Sequence, residues 1–207
     1  DLPAGPSELL VIADADANPS FVAADLLSQA EHGHDSQVML VTNCKNLAAA
    51  VASQIAAQKV NLTRQKTVDE VFLNSFTLVV EDLEVAVDIA NRYAPEHLIL
   101  QTQSPRDLLD KVTTAGSVFL GPWAPEAVGD YCSGTNHVLP TNGLARAYSG
   151  LGLNDFLRTM TLQELKPEGI ATLGPLAQTL AKLEGLDAHE AAVAQRLKVL
   201  REKGLSQ

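Results

Sequence analysis

Along most of the chain, short apolar runs alternate with longer stretches whose apolar residues recur at helical spacing. The runs predict strands at Leu9–Ala13, Gln37–Thr42, Phe76–Val80, His97–Gln101 and Ser117–Leu120. Between them the periodicity predicts helices around Pro19–Glu31, Lys45–Gln58, Leu83–Tyr93 and Pro105–Val112. Asn18 before Pro19 and Ser104 before Pro105 read as helix starts, each a capping side chain followed by proline at the first helical position. Short apolar strands joined by helices imply βαβ crossovers. The expected fold is therefore α/β, with a mainly parallel, Rossmann-like sheet covered on both faces. Ligands in such sheets sit at the carboxyl ends of the strands, and residues 116–140 leave the last strand at that end.

After Gly150 the strand signals stop. Leu173–Leu183 repeats apolar residues at helical spacing and Gly185 closes it. Asp187, with Glu190 three residues on, forms a capping signature for a last helix through Val193, Leu197 and Leu200. The chain thus divides into an α/β core over residues 1–150, incomplete by itself, and a small helical tail domain over residues 151–207. A tail this short cannot bury its apolar face alone, so it is expected to pack on the core or on another subunit.

Composition narrows the function. The 207 residues are 46% hydrophobic and 19% charged, as in ordinary globular proteins. With 15 basic residues against 25 acidic and no basic stripe, binding to a nucleic-acid backbone is excluded as the main activity. Two cysteines without repeated spacing suit a reducing, cytoplasmic compartment. No apolar run approaches the ~20 residues that a membrane span needs, and no targeting segment is visible, so a soluble protein is expected. Asp1-Leu2-Pro3-Ala4 lacks a starting Met and leads straight into the first strand, which reads as the middle of a longer polypeptide.

The candidate chemistry is spread over distant segments. Residues 116–140 place Asp130 and His137 in a glycine-rich stretch, GSVFLGPWAPEAVGDYCSGTNHVLP, too polar for a core. The same composition also suits an Asx-rich surface loop. Gln29 and His32, three apart near a helix end, project from one face, and imidazole and carboxamide oxygen are both metal donors. A solvated helix end where His32 meets the negative dipole terminus explains the pair as well. Glu96-His97 at a strand mouth can give two proton acceptors with separate roles, or be a surface dipeptide. His34 reads as exposed loop, Cys132 as a small buried residue and Trp123 as packing. No CxxC or HExxH string occurs, so any metal site has to be assembled from distant parts of the chain.

Four strings, SQAEHG (Ser28–Gly33), PEHL (Pro95–Leu98), GDY.SGTNHVLPT (Gly129–Thr141) and GLGLNDF (Gly150–Phe156), resemble the histidinol dehydrogenase family, in order and over essentially the whole chain. The resemblance implies a zinc-containing, NAD-dependent enzyme that oxidises L-histidinol through L-histidinal to L-histidine, the last step of histidine biosynthesis. It implies zinc ligands at Gln29, His32, Asp130 and His189, and proton acceptors at Glu96 and His97. His97 would take the alcohol proton, and Glu96 would activate the water that attacks the aldehyde. Substrate contacts are implied at Ser7, His137 and Glu184, together with Gln29, His32, His97, Asp130 and His189. It further implies a homodimer whose site is shared across subunits, with Glu184 and His189 reaching the partner. The family chain is longer, and its first half, absent here, includes the nucleotide-binding lobe, so no NAD contact is assigned and this chain is expected to be inactive alone. Two other readings of the residues stay open at this point: a zinc hydrolase with Glu96 as base, and a metal-stapled dimerisation module without chemistry.

Overall fold

The computed structural model describes residues 5–204. They form two compact units that divide after Phe156. In the first unit, β1 (Glu8–Ala13), α1 (Pro19–Ala30), β2 (Gln37–Thr42), α2 (Lys45–Lys59), α3 (Gln65–Phe72), β3 (Phe76–Val79), α4 (Leu83–Tyr93), β4 (His97–Gln101), α5 (Pro105–Leu109), β5 (Ser117–Leu120) and α6 (Glu126–Tyr131) follow one another. All strand pairs are parallel, in the order β3-β2-β1-β4-β5. The fold is α/β, as the alternation of strand and helix patterns predicts.

Because strand side chains alternate between faces, β1 feeds two cores. Leu9, Val11 and Ala13 face α1, α2 and α3, where Val22, Leu26, Leu27, Val51 and Val68 cover them. Leu10 and Ile12 face the other way, against Ala86, Val87 and Ala90 of α4. The chain winds outward from β1 first to β2 and β3, then returns across to β4 and β5, which makes the β1–β4 boundary the switch point of the sheet.

Several expectations are corrected here. β3 is exposed along all of its residues, because it is an edge strand that the helices only partly cover. Asn18 caps α1 by accepting from the Ser20 amide at 2.9 Å, whereas the Ser104 side chain makes no capping bond to α5, which ends at Leu109 and not Val112. Helices α3 and α6 have no counterpart among the predicted elements. The first is short and amphipathic, and the second is a single compact turn of helix within the glycine-rich stretch.

The second unit contains α7 (Pro167–Leu183) and α8 (Asp187–Glu202), packed on each other. α7 starts before the predicted Leu173, with Pro167 in its first turn, and continues through Pro175. Gly174 lets the helices meet: a Cβ there would lie 3.0 Å from the Leu197 side chain. Gly185 closes α7 with φ 70°, the left-handed turn that favours glycine. The Asp187 capping signature does not form, because the cap position is taken by Leu186 and no side chain bonds there. Leu173, Leu176, Leu180 and Leu183 stay exposed on α7.

Candidate functional site

The chemistry gathers at the amino ends of β1 and β4, not at the carboxyl ends where the fold class places ligands. Helix α1 runs back from the carboxyl edge, so its last turn delivers Gln29 and His32 to the amino edge. The segment after β5 also doubles back, and α6 brings Asp130 to the same place. At the carboxyl edge lies a small cavity of about 210 Å³, lined by Asp16, Gln101, Thr102 and Pro122 among others.

Glu8 organises the two neighbouring residues at the mouth of β4. Its amide donates to Glu96 Oε2 at 2.9 Å, and its carbonyl accepts from His97 Nδ1 at 3.2 Å. A carbonyl can only accept, so this contact places the imidazole proton on Nδ1. His97 Nε2 is then an unprotonated acceptor, buried, without a hydrogen-bond partner among the described residues, and 3.8 Å from Asp130 Oδ1. Phe119 stands beside the ring, with centroids 6.0 Å apart. The left-handed Ala94 (φ 57°) turns the chain from α4 into Pro95-Glu96. Gly116 then lets β5 start against that turn: a Cβ there would meet the Glu96 carbonyl oxygen at 2.5 Å.

Burial tunes both groups. Desolvation pushes the Glu96 carboxyl up to about 7, with the charges of Glu8 and Asp130 adding to the shift and the Glu8 amide opposing it. Desolvation holds His97 below its ordinary value, and His32 adds to this, while Asp130 and the Glu8 carbonyl pull the other way. Near neutral pH the pair therefore comprises a neutral imidazole and a carboxyl close to its midpoint, two proton acceptors in one dry corner.

A second group adjoins them. His32, Glu126 and Asp130 each bring one donor atom to within 4.8 Å of the others. Glu126 is 1% exposed and Gln29 0%. With the Gln29 amide turned so that its nitrogen faces Glu126, that nitrogen donates at 3.1 Å to Oε2 and 3.3 Å to Oε1; the other orientation sets oxygen against oxygen. Desolvation pushes Glu126 up to about 8, and the charges of Asp130, Glu96 and Asp25 add to it. His32, Glu126 and Asp130 thus form a donor group of one imidazole and two carboxyls, a set that a small dication would both neutralise and use.

Of the predicted residues, the structure brings Gln29, His32, Glu96, His97 and Asp130 together. Ser7 precedes β1, where its carbonyl accepts from the Gln37 amide at 3.0 Å. His137 is exposed in the stretch after α6. Glu184 closes α7 and His189 lies in the first turn of α8, both exposed, in the second unit. Gln29, in the last turn of α1, is fully buried in the interior of the fold. His34 is exposed as expected and pairs with Glu70 at 2.5 Å. Cys132 is exposed, and Trp123 is 84% exposed with only an edge contact to Phe21, so neither is the buried packing residue that its type suggests. The sequence reading misses Glu8 and Glu126. For Glu126 a signal exists: it stands four residues before Asp130, the spacing of one helical face, as do Asp25 and Gln29.

Residues 1–197 match the family model described as histidinol dehydrogenase. Histidinol dehydrogenase from Vibrio vulnificus is 53% identical over 204 residues, covering 99% of this chain and 47% of the relative. The Xylella fastidiosa enzyme of that name is 56% identical over 197 residues, covering 95% of this chain and 46% of the relative. The crystal structure of histidinol dehydrogenase from Elizabethkingia anophelis superposes with a TM-score of 0.95 at 50% identity, over 97% of this chain and 46% of that one. The chain thus spans about half the length of the curated relatives it matches, and it belongs to the histidinol dehydrogenase family.

Proposed function

We propose that this chain is the carboxyl-terminal, substrate-handling part of a longer cytoplasmic enzyme that oxidises L-histidinol through L-histidinal to L-histidine in histidine biosynthesis, with zinc and NAD as cofactors. The observation that carries the reading is His97: a buried imidazole whose proton is fixed on Nδ1 and whose Nε2 is left as an unpartnered base beside Glu96 and Asp130. Such a nitrogen suits removal of an alcohol proton while a hydride leaves the neighbouring carbon. Glu96, with a carboxyl near neutral, suits activation of the water that adds to the aldehyde in the second oxidation. A hydrolase or a bare dimerisation module has no need of two bases with such different environments.

The donor chemistry fits zinc. Gln29, His32 and Asp130 would hold it from this unit, with His189 joining from the tail of a partner subunit in a homodimer, and Ser7, His137 and Glu184 would add substrate contacts. When bound, zinc would anchor the imidazole and amine of histidinol and withdraw charge from them. The residues do not fit NAD in the same way. The turn after β1 reads Asp14-Ala15-Asp16-Ala17-Asn18, acidic where a pyrophosphate would need glycines and free amides. Nucleotide contacts are therefore assigned to the part of the protein beyond this chain, and the present residues account for proton movements only.

The test is NADH formation with L-histidinol by the full-length protein, with metal content measured on the same sample. Turnover that depends on zinc and is lost in His97→Asn supports the reading. Undiminished turnover in His97→Asn would remove it.

A further inference from the structure

We propose that Glu126 is a positioning residue that sets which end of the buried Gln29 amide faces a bound metal. The proposal rests on the metal reading above and adds to it a residue whose work is done through Gln29. A carboxamide has two ends of nearly equal shape, of which only the oxygen can ligate a cation. On an exposed glutamine, solvent serves either end, but Gln29 is 0% exposed and its orientation is decided by its neighbours. Glu126 decides it: the nitrogen donates to both oxygens of its carboxylate, at 3.1 and 3.3 Å, and Oε1 is left for the opposite side. In the reversed orientation those two hydrogen bonds are lost and the amide oxygen is set against the Glu126 oxygens in a dry site.

The elements explain why this glutamate can do it. Glu126 is the first residue of α6 and Asp130 stands four residues on, so both project from one helical face towards α1. α1 answers with Asp25 and Gln29 on one face, and His32 follows just past the end of the helix. One short helix thus supplies a donor, Asp130, and the group that orients a donor on the helix opposite.

Because Glu126 also lies within 4.8 Å of the donor atoms of His32 and Asp130, direct ligation is the competing account. A double-mutant cycle separates the two. In the full-length protein, zinc affinity is measured by competition with a chelator of known strength for the wild type, Glu126→Ala, Glu126→Gln, Gln29→Ala and both double variants with Gln29→Ala. Cobalt absorption spectra of the same proteins report the ligand set. Glu126→Ala is expected to weaken zinc binding roughly 10- to 100-fold, the range for groups that orient ligands. Glu126→Gln, which keeps one accepting oxygen, should lose less. In the Gln29→Ala background neither substitution should cost anything further, and the cobalt spectrum should change no more than Gln29→Ala changes it alone.

Losses that add in the double variant would overturn the proposal in favour of direct ligation, and an unchanged affinity in Glu126→Ala would overturn it outright. If Glu126→Ala fails to fold, the cycle with Glu126→Gln decides by the same criterion. A wild-type protein that binds no stoichiometric zinc would sink the metal reading and this proposal with it, whereas tight wild-type binding with additive losses overturns the proposal alone.

Discussion

Glu8 clamps Glu96 and His97 with its own peptide group, so the two proposed bases are held by one stretch of backbone and share a fate when β1 moves. Their chemistry nevertheless separates. Glu96→Gln is expected to slow the aldehyde-to-acid step by about 10²–10⁴-fold while sparing the alcohol-to-aldehyde step, whereas His97→Asn should slow both by about that factor. Measuring NADH from histidinol and from histidinal in turn checks this, and equal losses in Glu96→Gln would remove its role. Asp25 offers a test away from the reacting groups. Its carboxyl is pushed up to about 6 by desolvation, with Gln101 Nε2 at 2.7 Å offsetting part of the shift. The folded state holds this proton more tightly than the unfolded chain, so Asp25 favours folding at low pH and penalises it as pH rises through its folded value. Asp25→Asn should therefore stabilise the protein by about 1–3 kcal/mol near pH 8 and hardly at all near pH 4, as urea unfolding at the two pH values would read. At this scale the sequence was legible where spacing was local, as for Gln29 with His32 and for Glu96-His97. Glu8 was hidden because it acts on the two bases through main-chain atoms, which carry no residue code, and because those partners are 88 and 89 positions away.

Among the elements, α6 matters most and was least visible. It has six residues, no capping side chain and a glycine in its middle, so neither periodicity nor a start signal announces it. What keeps it in place is packing: a Cβ on Gly129 would meet Phe119 Cε1 at 2.5 Å, and Phe119 in turn stands beside His97. Gly129→Ala should lift the helix, cost about 1–3 kcal/mol by overpacking and weaken zinc binding by displacing Asp130. Thermal unfolding and zinc titration check the two consequences, and a variant with unchanged affinity would show that Asp130 does not depend on this contact. The strands, by contrast, were nearly all readable, because a buried parallel strand is an unbroken apolar run. β3 was placed correctly yet expected to be covered, since a run of Phe76-Thr77-Leu78-Val79 does not say whether its strand is central or at an edge.

At the level of the whole molecule, the exposed leucines of α7 and the placing of Glu184 and His189 in a separate unit give the proposed dimer its test. If the tail completes the partner's site, then full-length Asp130→Ala and His189→Ala, each inactive alone, should regain activity on mixing, because one site of the heterodimer carries both lesions and the other none. Native mass spectrometry confirms the mixed species, and a dead mixture that contains it would overturn the shared site. Fold class was legible because alternation of patterns fixes it. The edge of the sheet that carries the chemistry was not, since the strand order alone favours the opposite one. That reversal has a practical side. The exposed turn at Glu81, which follows β3 at the carboxyl edge, lies across the sheet from Glu96 and His97. A fluorophore attached there could follow assembly of the protein while leaving the reacting groups untouched, making this edge the natural handle for experiments on the working enzyme.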